Sequence, residues 1–259
     1  MNRRQALQRI TLGAIGLTGA CKLGEGPEFP ATNDGRLSAR PGVRDGFPSA
    51  GTHPLLLQSG RDGRLYVPST LPPDVPAPLV LMLHGASGSG QQTVSVFEDL
   101  SEELQFLLLA PDSRDVTWDA IHYSYSDDVT FINNALSSTF DRCNVDPLRI
   151  GIAGFSDGAT YALGLGRING DLFRGVAAFS PGFLLPASDA FKPPVYITHG
   201  FRDQVLPIEQ TSHVIVEELS ARGYDVTFRE FDGGHWVPAA YAPEAFSWLI
   251  GEPATQPNM

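Results

Sequence analysis

Four stretches of this chain carry residues able to do acyl-transfer chemistry. Residues 148–159 read Leu-Arg-Ile-Gly-Ile-Ala-Gly-Phe-Ser-Asp-Gly-Ala, an apolar run that breaks into Gly154-x-Ser156-x-Gly158. A strand that reverses into a helix at Ser156 does so through a strained turn. Glycine is needed on both sides, where a Cβ would strike neighbouring backbone. Such a turn lifts the Ser156 hydroxyl above the sheet edge as a nucleophile. Residues 84–90, His-Gly-Ala-Ser-Gly-Ser-Gly, follow an apolar run at 79–83. Acyl transfer builds negative charge on a carbonyl oxygen, and a backbone folded closely around it supplies N–H donors. The amides of Ala86 and Asp157 are the candidates. A phosphate-binding loop is a competing use of such glycines, but the Lys-Ser/Thr pair it needs is missing. A mere glycine turn is the plainer alternative, and His84 reads as a structural hydrogen-bonding residue. Last come Asp203 in His199-Gly200-Phe201-Arg202-Asp203 and His235 in Asp232-Gly233-Gly234-His235-Trp236. A carboxylate that orients an imidazole, and an imidazole that takes the serine proton, complete the set for covalent catalysis. Asp232 is a rival acid, too close to His235 in sequence to reach back easily to its ring.

The elements that must position these groups follow from apolar periodicity. Strands are expected at 79–83, 106–110, 150–153, 175–179, 194–198 and 226–231, after an antiparallel hairpin spanning 55–67. Val94, Phe97, Leu100 and Leu104 recur at helical spacing, which predicts a helix over 91–104 with one face on the sheet. Val129, Ile132, Leu136 and Phe140 predict another over 127–142, with Asp127 as its acidic cap. Further helices are expected after Ser156, at 208–222 with Gly223 as its stop, and at 241–250. Continuous apolar strands alternating with amphipathic helices indicate a mostly parallel α/β sheet with helices on both faces. In such a sheet the carboxyl ends of the strands lie along one edge, so Ser156, Asp203 and His235 can converge there. Trp118, Tyr123 and Tyr125 are candidates to wall an apolar pocket, and Phe183 and Trp236 are candidate substrate contacts. Residues 180–192 show no periodicity and are expected as a loop over the site.

A chain of 259 residues with 42% hydrophobic content can bury one large core. Its net charge of -11 argues against nucleic acid, whose phosphates it would repel. Residues 1–21 differ from the rest: Arg3 and Arg4 precede an apolar run over 10–20 that is too short to span a bilayer but suits an export signal. Thr18-Gly19-Ala20-Cys21 is similar to a bacterial lipoprotein cleavage site, although Thr18 stands where an aliphatic residue is usual. Lipidation of Cys21, with membrane anchoring through it, is therefore one expectation and an ordinary signal cut near Ala20 the other. The organisation expected is an export signal over 1–21, a flexible Gly/Pro/Ser-rich linker over 22–54, a catalytic domain over 55–252 and a tail over 253–259. Periplasmic, envelope-anchored or extracellular location follows. Cys143 is the other cysteine, and neither a disulfide nor a metal site is expected.

The joint pattern of His84-Gly85, Gly154 to Gly158, His199-Gly200 with Asp203, and Gly234-His235 resembles the α/β-hydrolase superfamily over about 55–252. Gly154-Phe155-Ser156 and Asp203-Gln204-Val205-Leu206-Pro207 look like the phospholipase/carboxylesterase family of lidless esterases. The Trp118 loop and Asp128-Val129-x-Phe131-Ile132 look more like the polyhydroxybutyrate depolymerase and feruloyl esterase group. The resemblance implies an α/β-hydrolase fold without a substantial lid and a cofactor-free serine carboxylesterase for short to medium acyl esters. The alternatives are a polyester or feruloyl esterase on a polymeric ester and, in another class, an inert hydrolase fold used as a binding protein. Oligomeric state is not legible.

Overall fold

The computed structural model describes residues 34–122 and 124–251. The export signal with Cys21, the first part of the expected linker, Tyr123 and the C-terminal tail lie outside the described residues.

Eight strands form one sheet: β1 Gly51–Pro54, β2 Gly63–Val67, β3 Ala77–Leu83, β4 Leu107–Pro111, β5 Val145–Phe155, β6 Val176–Phe179, β7 Val195–Gly200 and β8 Val226–Phe231. Their order across the sheet is β1-β2-β4-β3-β5-β6-β7-β8. The β1–β2 and β2–β4 pairs are antiparallel, and every later pair is parallel. The five principal helices are α1 Gly90–Leu104, α2 Asp127–Arg142, α3 Asp157–Ile168, α4 Ser212–Ala221 and α5 Ala242–Ile250.

Strand β3 shows why the sheet must be covered twice. All of its residues are buried. Leu79, Leu81 and Leu83 point into a core with α2, α3 and α4, whereas Val80 and Met82 join Val94 and Phe97 of α1 and Phe246 and Leu249 of α5 on the other face. A continuous apolar run is thus read by two cores at once, each taking alternate residues.

Three expectations about local structure are corrected. The first strand runs from Gly51 to Pro54, upstream of Leu55, because the Asp62 carboxylate accepts the Leu56 and Leu57 amides and Leu56 turns to a φ of 59°, which ends the extension. Ser126, not Asp127, is the cap position of α2, and Asp127 with Asp128 opens the first turn. The helix expected at 208–222 begins as a short 3-10 turn, Ile208–Gln210, and becomes α-helical only from Ser212.

The larger correction concerns the linker. Residues 34–50 are not a free tether but a strap laid over α2 and the end of α3. Asn169 accepts the Leu37 amide at 2.8 Å and donates to Gly35 O at 2.9 Å, and Asn133 Oδ1 accepts the amides of Ser38 and Ala39. Arg36 and Arg40 both bind the Asp171 carboxylate, and Arg44 pairs with Asp141. Leu37 is buried beneath. The composition of this stretch is that of a linker, yet its few polar and apolar groups have specific partners in distant segments.

Candidate active site

Ser156 stands between the end of β5 and the start of α3 at φ 57°, ψ −121°, a left-handed-side conformation that is strained for a residue with a side chain. Its neighbours permit the turn. A Cβ on Gly154 would lie 2.2 Å from Gly158 O, and one on Gly158 would lie 2.3 Å from Leu83 O. The turn is pinned by the Ser156 amide on Phe179 O at 2.9 Å and by the Ala159 and Thr160 amides on Ser156 O.

Three residues that are far apart in sequence meet at this edge. His235 Nε2 lies 2.9 Å from Ser156 Oγ, and His235 Nδ1 lies 2.6 Å from Asp203 Oδ2. Asp203 is buried at the turn after β7, and its Oδ1 accepts the amides of Val205 and Leu206, each at 2.9 Å. Burial acts to raise the Asp203 carboxyl, but the Leu206 amide, His235 and the Val205 amide together hold it below the ordinary carboxylate value. Asp232 does not share in this arrangement. It forms an exposed ion pair with Arg202.

The glycine-rich turn lies against Ser156: a Cβ on Gly85 would come within 3.3 Å of Ser156 Cβ. His84 organises this turn. Its Nε2 accepts the Ser113 amide at 2.9 Å, so the ring proton sits on Nδ1, which donates to Gly85 O at 2.7 Å. Gly88 N donates to the same carbonyl at 3.0 Å. In a trans peptide the N–H points opposite the C=O, so fixing the Gly85 carbonyl also fixes the direction of the Ala86 amide. Burial lowers the His84 pKa and keeps the ring in this neutral form. The Asp157 amide opens α3 directly beside Ser156.

The loop from 112 to 126 is tied to this edge by side chains whose roles the sequence did not disclose. The Asp157 carboxylate accepts the Thr117 hydroxyl at 2.8 Å, and Trp118 Nε1 donates to His84 O at 2.8 Å. Trp118 is wholly buried between the rings of His84 and Tyr161, so it is a pillar of the turn and not a wall of an open pocket. Asp128 accepts the amides of Arg114 and Asp119, and Asp119 accepts the Tyr161 hydroxyl and the amides of Ser126 and Asp128. Burial pushes the Asp128 carboxyl up to about 6 against the pull of these amides. Tyr125 is also buried and lines, with Arg36, Leu185 and Phe191, a cavity of about 500 Å³ beside the strap. Phe183 and Trp236 are 39% and 51% exposed, on the loop after β6 and next to His235, respectively. Cys143 is a free thiol in the core, and burial pushes its pKa up to about 12. Among the described residues no cluster of potential metal ligands is present, and no helix is long and apolar enough to cross a membrane.

Comparisons with known proteins agree with this fold. Residues 67–237 match the model of the Dienelactone hydrolase family. A curated relative, the bifunctional acetylxylan esterase/xylanase XynS20E of Neocallimastix patriciarum, is 29% identical over 160 residues, which are 59% of this chain and 23% of that protein. The chain thus spans less than a quarter of that relative. Among solved structures, esterase PE8 superposes with a TM-score of 0.59 at 20% identity, covering 72% of this chain and 96% of that one. The CE1 ferulic acid esterase AmCE1/Fae1A of Anaeromyces mucronatus gives 0.58 at 17% identity, covering 86% and 94%. Est1E from Butyrivibrio proteoclasticus gives 0.58 at 17% identity, covering 78% and 98%.

Proposed function

The chain belongs to the dienelactone hydrolase family of α/β-hydrolases, and from that premise we propose that it is an exported serine carboxylesterase working through an acyl-enzyme on Ser156. It is an esterase-type hydrolase. The observation that carries the proposal is the unbroken run of hydrogen bonds from Asp203 through His235 to Ser156.

His235 Nε2 takes the Ser156 proton as Oγ attacks the ester carbonyl carbon. The carbonyl oxygen becomes an oxyanion and receives the amides of Ala86 and Asp157. Collapse breaks the bond to the leaving alkoxide, which accepts the proton from His235, and the acyl group remains on Oγ. Water then repeats both steps and frees the acid. Asp203 keeps the imidazole oriented and stabilises its charged form. No residue in this sequence of steps calls for a metal or cofactor.

An ester carried on a polymer is the second reading. Exposed Phe183 and Trp236 supply an open apolar margin for it, and the relative with acetylxylan esterase in its name supports a polysaccharide acetate as the polymer. Arg3, Arg4 and the apolar run over 10–20 support export, and Cys21 supports anchoring in an envelope.

The test is hydrolysis of p-nitrophenyl esters from acetate to palmitate, with acetylated and feruloylated xylan beside them, by the wild type and Ser156→Ala. Loss of about 10⁶-fold in turnover is expected for the variant, with a short-chain optimum. Equal activity of both proteins would remove Ser156 from the reaction. A folded wild type that neither hydrolyses any ester nor reacts with a fluorophosphonate would favour a binding protein.

A further inference from the structure

We propose that His199 is a positioning residue for Asp203: its Nε2–H holds the carbonyl of Leu206, whose amide binds the carboxylate, and stands 3.1 Å from Oδ2, where it shares the charge that His235 would otherwise meet alone. This rests on the assignment of Ser156, His235 and Asp203 above. His199 lies near the end of β7 and is fully buried. Its Nε2 is 2.8 Å from Leu206 O and 3.1 Å from Asp203 Oδ2. Both oxygens can only accept, so Nε2 carries the ring proton. Nδ1, 2.7 Å from Ser212 Oγ, then accepts from that hydroxyl, and the ring is neutral. Burial lowers the His199 pKa and holds it so.

A carboxylate offers about four acceptor sites. Oδ1 takes the Val205 and Leu206 amides and Oδ2 takes His235, while the His199 Nε2–H, bonded to Leu206 O, stands 3.1 Å from Oδ2 and turns the positive end of its dipole toward that charge. Leu206 closes a ring, since its amide donates to Asp203 while its carbonyl accepts from His199. The carboxylate is therefore held on both oxygens, and the ring closed by Leu206 restrains its rotation. The other groups around the pair are the Phe155 ring packed on His235 and, at the surface, Arg202 paired with Asp232. With the His199 donor gone, Oδ2 would bind the His235 imidazolium more strongly and hold its ring less accurately.

Glutamine and asparagine at position 199 separate this role from packing. The amide nitrogen of Gln reaches the place of Nε2, whereas that of Asn reaches only the place of Nδ1. His199→Gln is expected to keep the wild-type acid limb of the kcat/KM profile. His199→Asn is expected to lower the plateau about tenfold, the worth of one buried hydrogen bond, and to move the acid limb to higher pH. Coincident profiles for the two variants would overturn the proposal. Should the Asn variant fail to fold, ¹⁵N spectra of the wild type decide: His199 must hold the Nε2–H tautomer from about pH 5 to 9, and an Nδ1–H tautomer overturns it. Asp203→Asn serves as the reference. If it retains full activity, the assignment of the acid fails; if it inactivates while His199→Asn matches the wild type, only the role of His199 fails.

Discussion

At the scale of single residues, the chemistry of the site depends on which ring nitrogen carries each proton. His84 and His199 are both buried and neutral, but they hold opposite tautomers because one faces an amide donor at Nε2 and the other faces two acceptors there. Replacing His84 with Phe removes the donor to Gly85 O and leaves the Ser113 amide without its acceptor. The Ala86 amide then loses its fixed direction. A fall in kcat of about 10²-fold with little change in KM is expected, since an oxyanion donor acts mainly in the transition state. Steady-state kinetics check this, and a raised KM at unchanged kcat would instead place His84 in substrate binding. The convergence of Ser156, Asp203 and His235 was legible because each sits in a short glycine-bearing motif at the end of an apolar run. The sequence did not disclose the tautomers or the Thr117–Asp157 bond, since those depend on partners brought together only by folding.

At the scale of elements, β5 and α3 set the position of Ser156, while the loop from 112 to 126 braces the turn that faces it. That brace depends on Asp128. Replacing Asp128 with Ala leaves the Arg114 and Asp119 amides unpaired where they were bound to a buried carboxylate. A loss of about 2 to 4 kcal/mol of stability is expected, read as a lower denaturant midpoint, with reduced turnover as Trp118 and Thr117 loosen. Unchanged midpoints would show that the loop is held elsewhere. Most strands and helices were legible from periodicity, because a two-sided core imposes continuous apolar runs and helical stripes. Trp118 was misjudged as a pocket wall for a physical reason. An aromatic residue in an irregular loop carries no periodicity to show whether it faces solvent or core.

At the scale of the whole molecule, the strap over 34–50 joins the start of the described chain to two helices that carry no site residue beyond Asp157. Its clearest ionic contact is Asp171, whose carboxyl is held down at about 2, first by the Arg36 hydrogen bond and then, against burial, by Arg40. A carboxyl with a lowered folded pKa contributes stability that is complete above its unfolded value near 4 and is lost as pH falls toward 2. This contribution is about 1 kcal/mol, because the groups are partly exposed and screened. Asp171→Asn is therefore expected to lower the melting temperature near pH 7 and to have a much smaller effect near pH 2, fading as the pH falls further. A difference as large at about pH 1 as at pH 7 would assign the stabilisation to another contact. The strap was illegible because a Gly/Pro/Ser-rich sequence states nothing about distant acceptors such as Asn133 and Asn169. The superfamily was legible and the family was not, since the motifs around Ser156 and Asp203 are common to many α/β-hydrolases.

The alternation in β3 bears on how such a chain can change over generations. Leu79, Leu81 and Leu83 serve one core while Val80 and Met82 serve the other. Gaining or losing a single residue within the strand would exchange the two sets and rotate His84 away from Ser113 in the same event. A change of length is therefore tolerated best outside the ladder, as in residues 180–192 with exposed Phe183. That margin can be lengthened or shortened while the register that places Ser156 stays unaltered.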